Sequence, residues 1–119
     1  MKVSKLGGAL LDYWVARAEG IEPSRLILRD QPDAVGKMCV RDDLFKFNPS
    51  ESWLLGGPVI GRQKIAIYWD VDEWVALWHS ESSASGTLHA RGPVMAGETA
   101  LVAAMRCYVA SKFGEEVPA

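Results

Sequence analysis

The sequence contains little cysteine. Its two cysteines, Cys39 and Cys107, lie far apart, in apolar surroundings and without the close C-x-x-C spacing of metal or redox motifs. This excludes a disulfide framework of the kind that holds small secreted proteins together. We expect two buried thiols, with one structural disulfide as the alternative.

Long apolar runs are also missing, and none approaches the roughly 18 residues that a membrane-spanning helix requires. Residues 1–14 begin with basic character, but Asp12 interrupts their short apolar stretch and no cleavage site follows. The sequence therefore predicts no membrane span and no signal peptide, and we expect a cytoplasmic protein.

The chain has no excess of charge of one sign. It has 119 residues, with 13 basic and 15 acidic side chains and a net charge of −2. This balance excludes a strongly basic body that binds phosphate backbones by charge alone, although it is compatible with a local basic patch. No nucleophile elbow, phosphate-binding glycine motif or Ser-His-Asp order is present either.

Helical patterns are present near both ends of the chain. In residues 5–19, apolar side chains recur at helical spacing, at Leu6, Leu10, Trp14 and Ala18. Residues 99–113 show the same spacing, at Leu101, Met105, Val109 and Phe113. Gly114 follows this second helix as a predicted left-handed cap.

The second helix also carries two residues with reactive or charged side chains. Cys107 has no histidine near it in sequence to lower its thiol pKa, so we interpret it as a packing residue rather than a nucleophile. Arg106 lies off the apolar row and is predicted to be solvated, with a salt bridge or a partner contact as the alternative.

Strand patterns fill the middle of the chain. Residues 25–29 form a short apolar run, and residues 37–47 suggest a strand or a hairpin about Asp42-Asp43. Residues 65–79 give the clearest hairpin, with Trp69 facing Trp74 across the strands. Residues 80–98 form a glycine-rich and small-residue connection, which a short strand at residues 87–90 would shorten.

Gly56-Gly57-Pro58 predicts the start of a helix, because proline is favoured at the first helical position. With Arg62 and Lys64 following, the free N–H groups of Gly56 and Gly57 would form an anion-binding site. A simple turn and helix start without a ligand explains the same residues.

Five tryptophans are many for a chain of this length. Packing in the core accounts for them, but tryptophan is also enriched where proteins bind one another. We therefore identify Trp53, Trp74, Trp78 and Arg106 as a candidate interaction surface. Base stacking needs a basic groove beside the rings, and the charges near them are acidic, so nucleic acid is not the expected partner.

No metal site or cofactor site is predicted. Asp70, Asp72 and Glu73 could offer oxygen ligands to a hard cation, but a polar hairpin turn uses the same residue types. His79 and His89 together with the two cysteines match no known zinc spacing.

Three blocks of the sequence resemble the phage NinX-like proteins, a family of uncharacterised phage and prophage accessory proteins. They are LGGALLDYWVARAEG, WLLGGPVIGRQKI and ALVAAMRCYVASKFGEEV, which together cover about half the chain. The resemblance implies a phage or prophage origin, hence a bacterial host cell. It also implies a small α/β domain, with a three-layer α/β/α sandwich as one arrangement, and no known activity.

We therefore predict one α+β domain over residues 1–119, in which N- and C-terminal helices pack on a small, mostly antiparallel sheet. The predicted function is that of a non-enzymatic phage accessory protein that binds a protein partner, which could be a second copy of itself. Nucleic-acid association is one alternative. The other is a small-molecule or anion binder, or an enzyme, that uses the helix start at Gly56-Gly57-Pro58.

Overall fold

The structure, a computed structural model, describes residues 1–118 and shows a mixed α+β fold. Within that range the α-helices are α1 (Gly8–Ala18), α2 (Trp53–Gln63) and α3 (Ala100–Phe113). The strands are β1 (Leu26–Asp30), β2 (Lys37–Arg41), β3 (Phe45–Lys46), β4 (Ala66–Asp70), β5 (Glu73–Leu77), β6 (Glu81–Ser82), β7 (Leu88–His89) and β8 (Val94–Gly97). Short 3₁₀ helices lie at Val3–Lys5 and Pro23–Arg25.

All strand pairs of the described chain are antiparallel, but they form three small sheets instead of one. The strand orders are β1-β2-β3, β4-β5-β8 and β6-β7. The predicted hairpin at residues 65–79 is confirmed as β4 and β5, and Trp69 pairs with Trp74 in its register. The predicted hairpin about Asp42-Asp43 is confirmed as well, because β2 and β3 flank that turn.

Helix α3 lies at the centre of the fold. It contacts the β4-β5-β8 sheet as well as α1 and α2, and the β1-β2-β3 sheet packs on α1. Each of the two larger sheets is thus packed against a helix, the β1-β2-β3 sheet against α1 and the β4-β5-β8 sheet against α3. Nine of the 14 residues of α3 are buried, and its small residues Ala103, Ala104 and Ala110 permit close approach by its neighbours.

The helix ends differ in detail from the sequence-based expectations. Helix α3 begins at Ala100, one residue after the predicted Thr99, which instead caps the helix: its hydroxyl accepts a hydrogen bond from the Val102 N–H at 3.1 Å. Gly114 has φ 87° and ψ −163°, so the predicted left-handed helical cap is wrong, although the positive φ still suits glycine. Helix α1 begins only at Gly8, whose φ of 54° interrupts the helix predicted from residue 5.

The predicted helix start at Gly57-Pro58 is wrong. Helix α2 begins at Trp53, five residues earlier, so Gly56, Gly57 and Pro58 lie inside it. The proline has no N–H to donate to the Leu54 carbonyl one turn before. Because Leu54 is exposed, water can reach that end of the helix and replace the missing partner.

The two ends of the described chain are held together. The Val3 N–H donates to the Glu115 carbonyl, and the Val117 N–H donates to the Met1 carbonyl. Val3 and Val117 are both buried in the main apolar cluster with the helices. The segments that flank α1 and α3 therefore close the core from one side.

Candidate functional site

A hollow of about 540 Å³ opens where the N-terminal ends of the three α-helices approach one another. Its apolar walls include Trp53 from α2, Trp74 from β5, and Leu101 and Val102 from α3. Glu51 and Glu98 supply its charged side chains. We call this hollow the tryptophan pocket; its size lies in the range of sites that bind ligands or the side chains of partners.

Trp53 is the first helical residue of α2, and 58% of its surface is exposed. Its ring lies along the helix towards Gly57, where a Cβ atom would be 4.0 Å from the ring. Because Gly57 has no side chain, no side chain at that position covers the Trp53 ring. The sequence thus leaves a large apolar side chain exposed at the mouth of a hollow.

Trp74 also lines the pocket and is half-buried against the core. Its ring packs edge-to-face on the ring of Trp69, with centroids 5.3 Å apart. Trp69 lies on the edge strand β4 and is itself 55% exposed. The aromatic surface of the pocket therefore continues onto the end of the β4-β5-β8 sheet.

Carboxylates surround this aromatic surface. A second hollow, of about 360 Å³, shares Glu98 with the tryptophan pocket and is lined also by Asp72, Glu73 and Arg106. In the described part of the chain, none of the four carboxylates of the two hollows forms a salt bridge. Carboxylates elsewhere do, as Glu19 does with Arg62 at 2.7 Å.

Arg106 is only partly exposed and its guanidinium is hydrogen-bonded within the protein, so the prediction that it is solvated is wrong. Its Nε donates to the Leu6 carbonyl at 2.7 Å and its Nη1 donates to the Ala96 carbonyl at 2.8 Å. Burial lowers the pKa of Arg106 from its ordinary value, while the charge of Glu98 acts to raise it. The guanidinium thus links α3 to β8 and to the segment before α1.

The structure brings together only part of the predicted interaction surface. Trp53 and Trp74 share the tryptophan pocket, and Arg106 lies in the neighbouring hollow. Trp78 belongs to neither, because its Nε1 donates to the Gln63 side chain at 3.3 Å and its ring lies directly against Gly92. Glu51 and Glu98 were missed, since sequence spacing does not indicate that α2 and α3 begin side by side.

The geometric basis of the predicted anion site is wrong. The Gly56 N–H donates to the Ser52 carbonyl inside α2 and is not free to bind an anion. Arg62 is already paired with both oxygens of Glu19, at 2.8 and 2.7 Å. Lys64 ends the helix in the left-handed conformation, two residues beyond Arg62.

Both cysteines are buried free thiols, as predicted. Burial raises the pKa of Cys107 to about 12 and that of Cys39 to about 11, the nearby Asp12 charge adding to the effect at Cys39. Thiols with such pKa values are poor nucleophiles.

Within residues 1–118 no three His, Cys, Asp or Glu side chains are grouped so that they could hold a metal ion. None of the helices described there has the length and apolar character needed to cross a membrane.

Behind the pocket lies a buried carboxyl group that the sequence analysis treated only as an interruption. Asp12 of α1 is 2% exposed and accepts a hydrogen bond from the Ser50 N–H at 2.8 Å. Burial raises the pKa of Asp12 from 3.8 to about 6, although the hydrogen bonds of Ser50 lower it. The segment that leads into α2 is thereby attached to α1.

Asp12 makes the stability of the protein depend on pH. Because its folded-state pKa is raised, the associated stability is complete below pH 3.8 and is lost as the pH rises through about 6. The difference between these two pKa values corresponds to about 3 kcal/mol of unfolding free energy. The wild type should therefore gain about this much unfolding free energy on going from neutral to acid pH. Asp12→Asn has no group that titrates at position 12 and should not show this gain. Urea titration of both proteins at the two pH values would measure the difference.

Asp33→Asn, in an exposed loop, is the matched control. Because it changes an exposed surface residue, it should alter the unfolding free energy by no more than about 0.5 kcal/mol. If the profiles of the wild type and Asp12→Asn run parallel from neutral to acid pH, Asp12 does not titrate in the folded state as described.

Comparison with known proteins identifies one family. The family model described as Bacteriophage P22, NinX matches residues 2–112, which is nearly the whole chain. No curated protein matches the sequence significantly.

Proposed function

This chain belongs to the bacteriophage P22 NinX family, and we propose that it serves the phage as a non-enzymatic accessory protein whose tryptophan pocket binds a partner protein. The proposal rests on one observation: Trp53 and Trp74, from distant parts of the sequence, form the walls of a hollow in which Trp53 is largely exposed. We propose that the protein acts in the cytoplasm of the host cell.

The energetics of tryptophan favour a binding surface. An indole side chain buries about 150–250 Å² when it is covered, and each Å² of apolar surface removed from water contributes about 25 cal/mol. Covering the exposed part of Trp53 would thus contribute about 2–4 kcal/mol, before any contribution of Trp69. Residues of this kind typically dominate protein–protein interfaces.

The alternatives have less support. Unpaired carboxylates around the pocket would repel the phosphates of a nucleic acid. A ligand-binding role at Gly56-Gly57-Pro58 has lost its geometric basis, because those residues lie inside α2. An enzymatic role through cysteine is disfavoured by the raised thiol pKa values.

A photo-crosslinking experiment tests the proposal. Benzoylphenylalanine is placed at Trp53 in one variant and at Leu54, which is 85% exposed but outside the pocket, in the other. After illumination of phage-infected cells, we expect a discrete adduct from position 53, at least about fivefold stronger than from position 54, because tryptophan positions at such sites contact the partner directly. Mass spectrometry of the adduct distinguishes a second copy of this chain from another protein.

Trp74→Ala, combined with the probe at position 53, should remove that adduct, since it takes away the second tryptophan that lines the pocket. Equal, diffuse labelling from positions 53 and 54 would show that the pocket has no protein partner under these conditions and would contradict the proposal.

A further inference from the structure

We infer that the partner presents an arginine-bearing basic segment, whose guanidinium binds in the tryptophan pocket against the indoles and the carboxylates of Glu51 and Glu98. This inference rests on the proposed function, because it names the chemistry of the partner that the pocket receives. Charge and aromatic surface support it separately.

The charge of the site selects a cation. The two adjoining hollows are lined by four carboxylates and one guanidinium. That guanidinium, on Arg106, already donates to two backbone carbonyls. Since none of the four carboxylates forms a salt bridge within residues 1–118, a basic partner would find them available.

The helix ends at the pocket do not reverse this sign. Each of the three N-terminal ends carries a partial positive charge of roughly half an elementary charge. Their sum of about 1.5 is smaller than the net charge of −3 that four carboxylates and one guanidinium give. The N-terminal end of α3 is also partly satisfied already, by the Thr99 hydroxyl.

The aromatic walls favour arginine over lysine. A guanidinium is planar, stacks on indole rings and can at the same time donate to carboxylates at its edge. Trp53 is largely exposed in the pocket, and Trp74, which also lines it, packs on the exposed Trp69. A lysine ammonium is more strongly hydrated and makes no such planar contact.

Peptide binding tests the inference. The probe is a fluorescein-labelled heptapeptide in which arginine alternates with glycine, and its matched control carries citrulline, the neutral isostere, at each arginine. By fluorescence anisotropy at low salt, we expect the dissociation constant of the citrulline peptide to be at least about tenfold higher, because it keeps the planar group and loses the charge. A lysine version should bind between the two, and raising the salt should weaken the arginine peptide.

Variants of the protein locate the binding. Trp53→Ala and the double variant Glu51→Gln, Glu98→Gln should each raise the dissociation constant of the arginine peptide at least about tenfold. Leu54→Ala and Glu22→Gln are controls, because both residues are exposed and line neither hollow. All these changes lie at exposed residues, so thermal unfolding should be nearly unchanged.

Three results would overturn the inference. The first is equal binding of the arginine and citrulline peptides. The second is no binding of the arginine peptide at low salt while position 53 still crosslinks to a protein, which leaves the proposed function standing. The third is full competition by spermidine at the affinity of the peptide, which would assign the pocket to small polyamines.

Discussion

A Gly56→Ala variant is expected to lose about 3 kcal/mol of folding free energy. A Cβ atom at this position would lie 2.5 Å from the Pro49 carbonyl oxygen and 2.7 Å from Cδ2 of Leu101. The Leu101 side chain could rotate, but the Pro49 carbonyl is backbone, so α2 would have to move away from the core. Urea titration would measure the loss, and thermal unfolding should show a fall of about 4 °C in Tm for each kcal/mol.

Gly57→Ala, one residue along the same helix, is the matched control. Its Cβ would meet nothing nearer than the Trp53 ring at 4.0 Å. Since alanine has a higher helix propensity than glycine, this variant should gain about 0.5–1 kcal/mol. If Gly56→Ala and Gly57→Ala are destabilised equally, the close contact at position 56 does not explain why glycine is needed there.

Arg106→Met is expected to cost about 2–4 kcal/mol. Methionine keeps much of the apolar stem but removes both donors, which leaves the Leu6 and Ala96 carbonyls without them. Hydrogen bonds from a charged donor contribute about 1.5–3 kcal/mol each, and partial solvent access reduces the sum. Chemical denaturation with circular dichroism would record the change.

Lys112→Met, on the exposed end of the same helix, provides the comparison for Arg106. We expect an effect of about 0.5 kcal/mol, because that ammonium has only the helix dipole and the Tyr108 ring near it. A loss at Arg106 no larger than that at Lys112 would mean that the two carbonyl contacts add little to stability.

The local elements were predictable where the sequence pattern and the packing coincide. Helix α3 followed from the spacing of Leu101, Met105 and Val109, all of which are buried. The hairpin of β4 and β5 followed from β-branched and aromatic runs about a polar turn. In each case the pattern that predicts the element lies within one short segment of the chain.

The predictions that were wrong concern residues whose structure depends on segments distant in the sequence. Arg106 lies off the apolar row of α3, yet its acceptor Leu6 is 100 residues away in the chain and is brought beside it by folding. Gly56-Gly57-Pro58 has the composition of a helix start, but Gly56 is there because α2 meets the Pro49 carbonyl and Leu101. Neither contact can be predicted from the residue pattern of the local sequence.

The candidate site was predictable only in part for the same reason. Trp53 and Trp74 were chosen for their residue type, and folding places both at the N-terminal end of α3. Trp78 has the same residue type, but its ring meets Gly92 and its N–H meets Gln63. Residue type therefore indicates which side chains could bind a partner, and tertiary packing decides which of them face solvent together.

The position of α3 against the other two helices and the β4-β5-β8 sheet has a consequence for how such a protein can diverge. Because this helix touches α1, α2 and the β4-β5-β8 sheet, almost any change of volume along it must be matched by changes in several neighbours at once. The β6-β7 sheet and the outer surface of the β1-β2-β3 sheet lie outside these contacts with α3. We therefore expect related phage proteins to differ more in the sequence of those outer parts than in the sequence of α3.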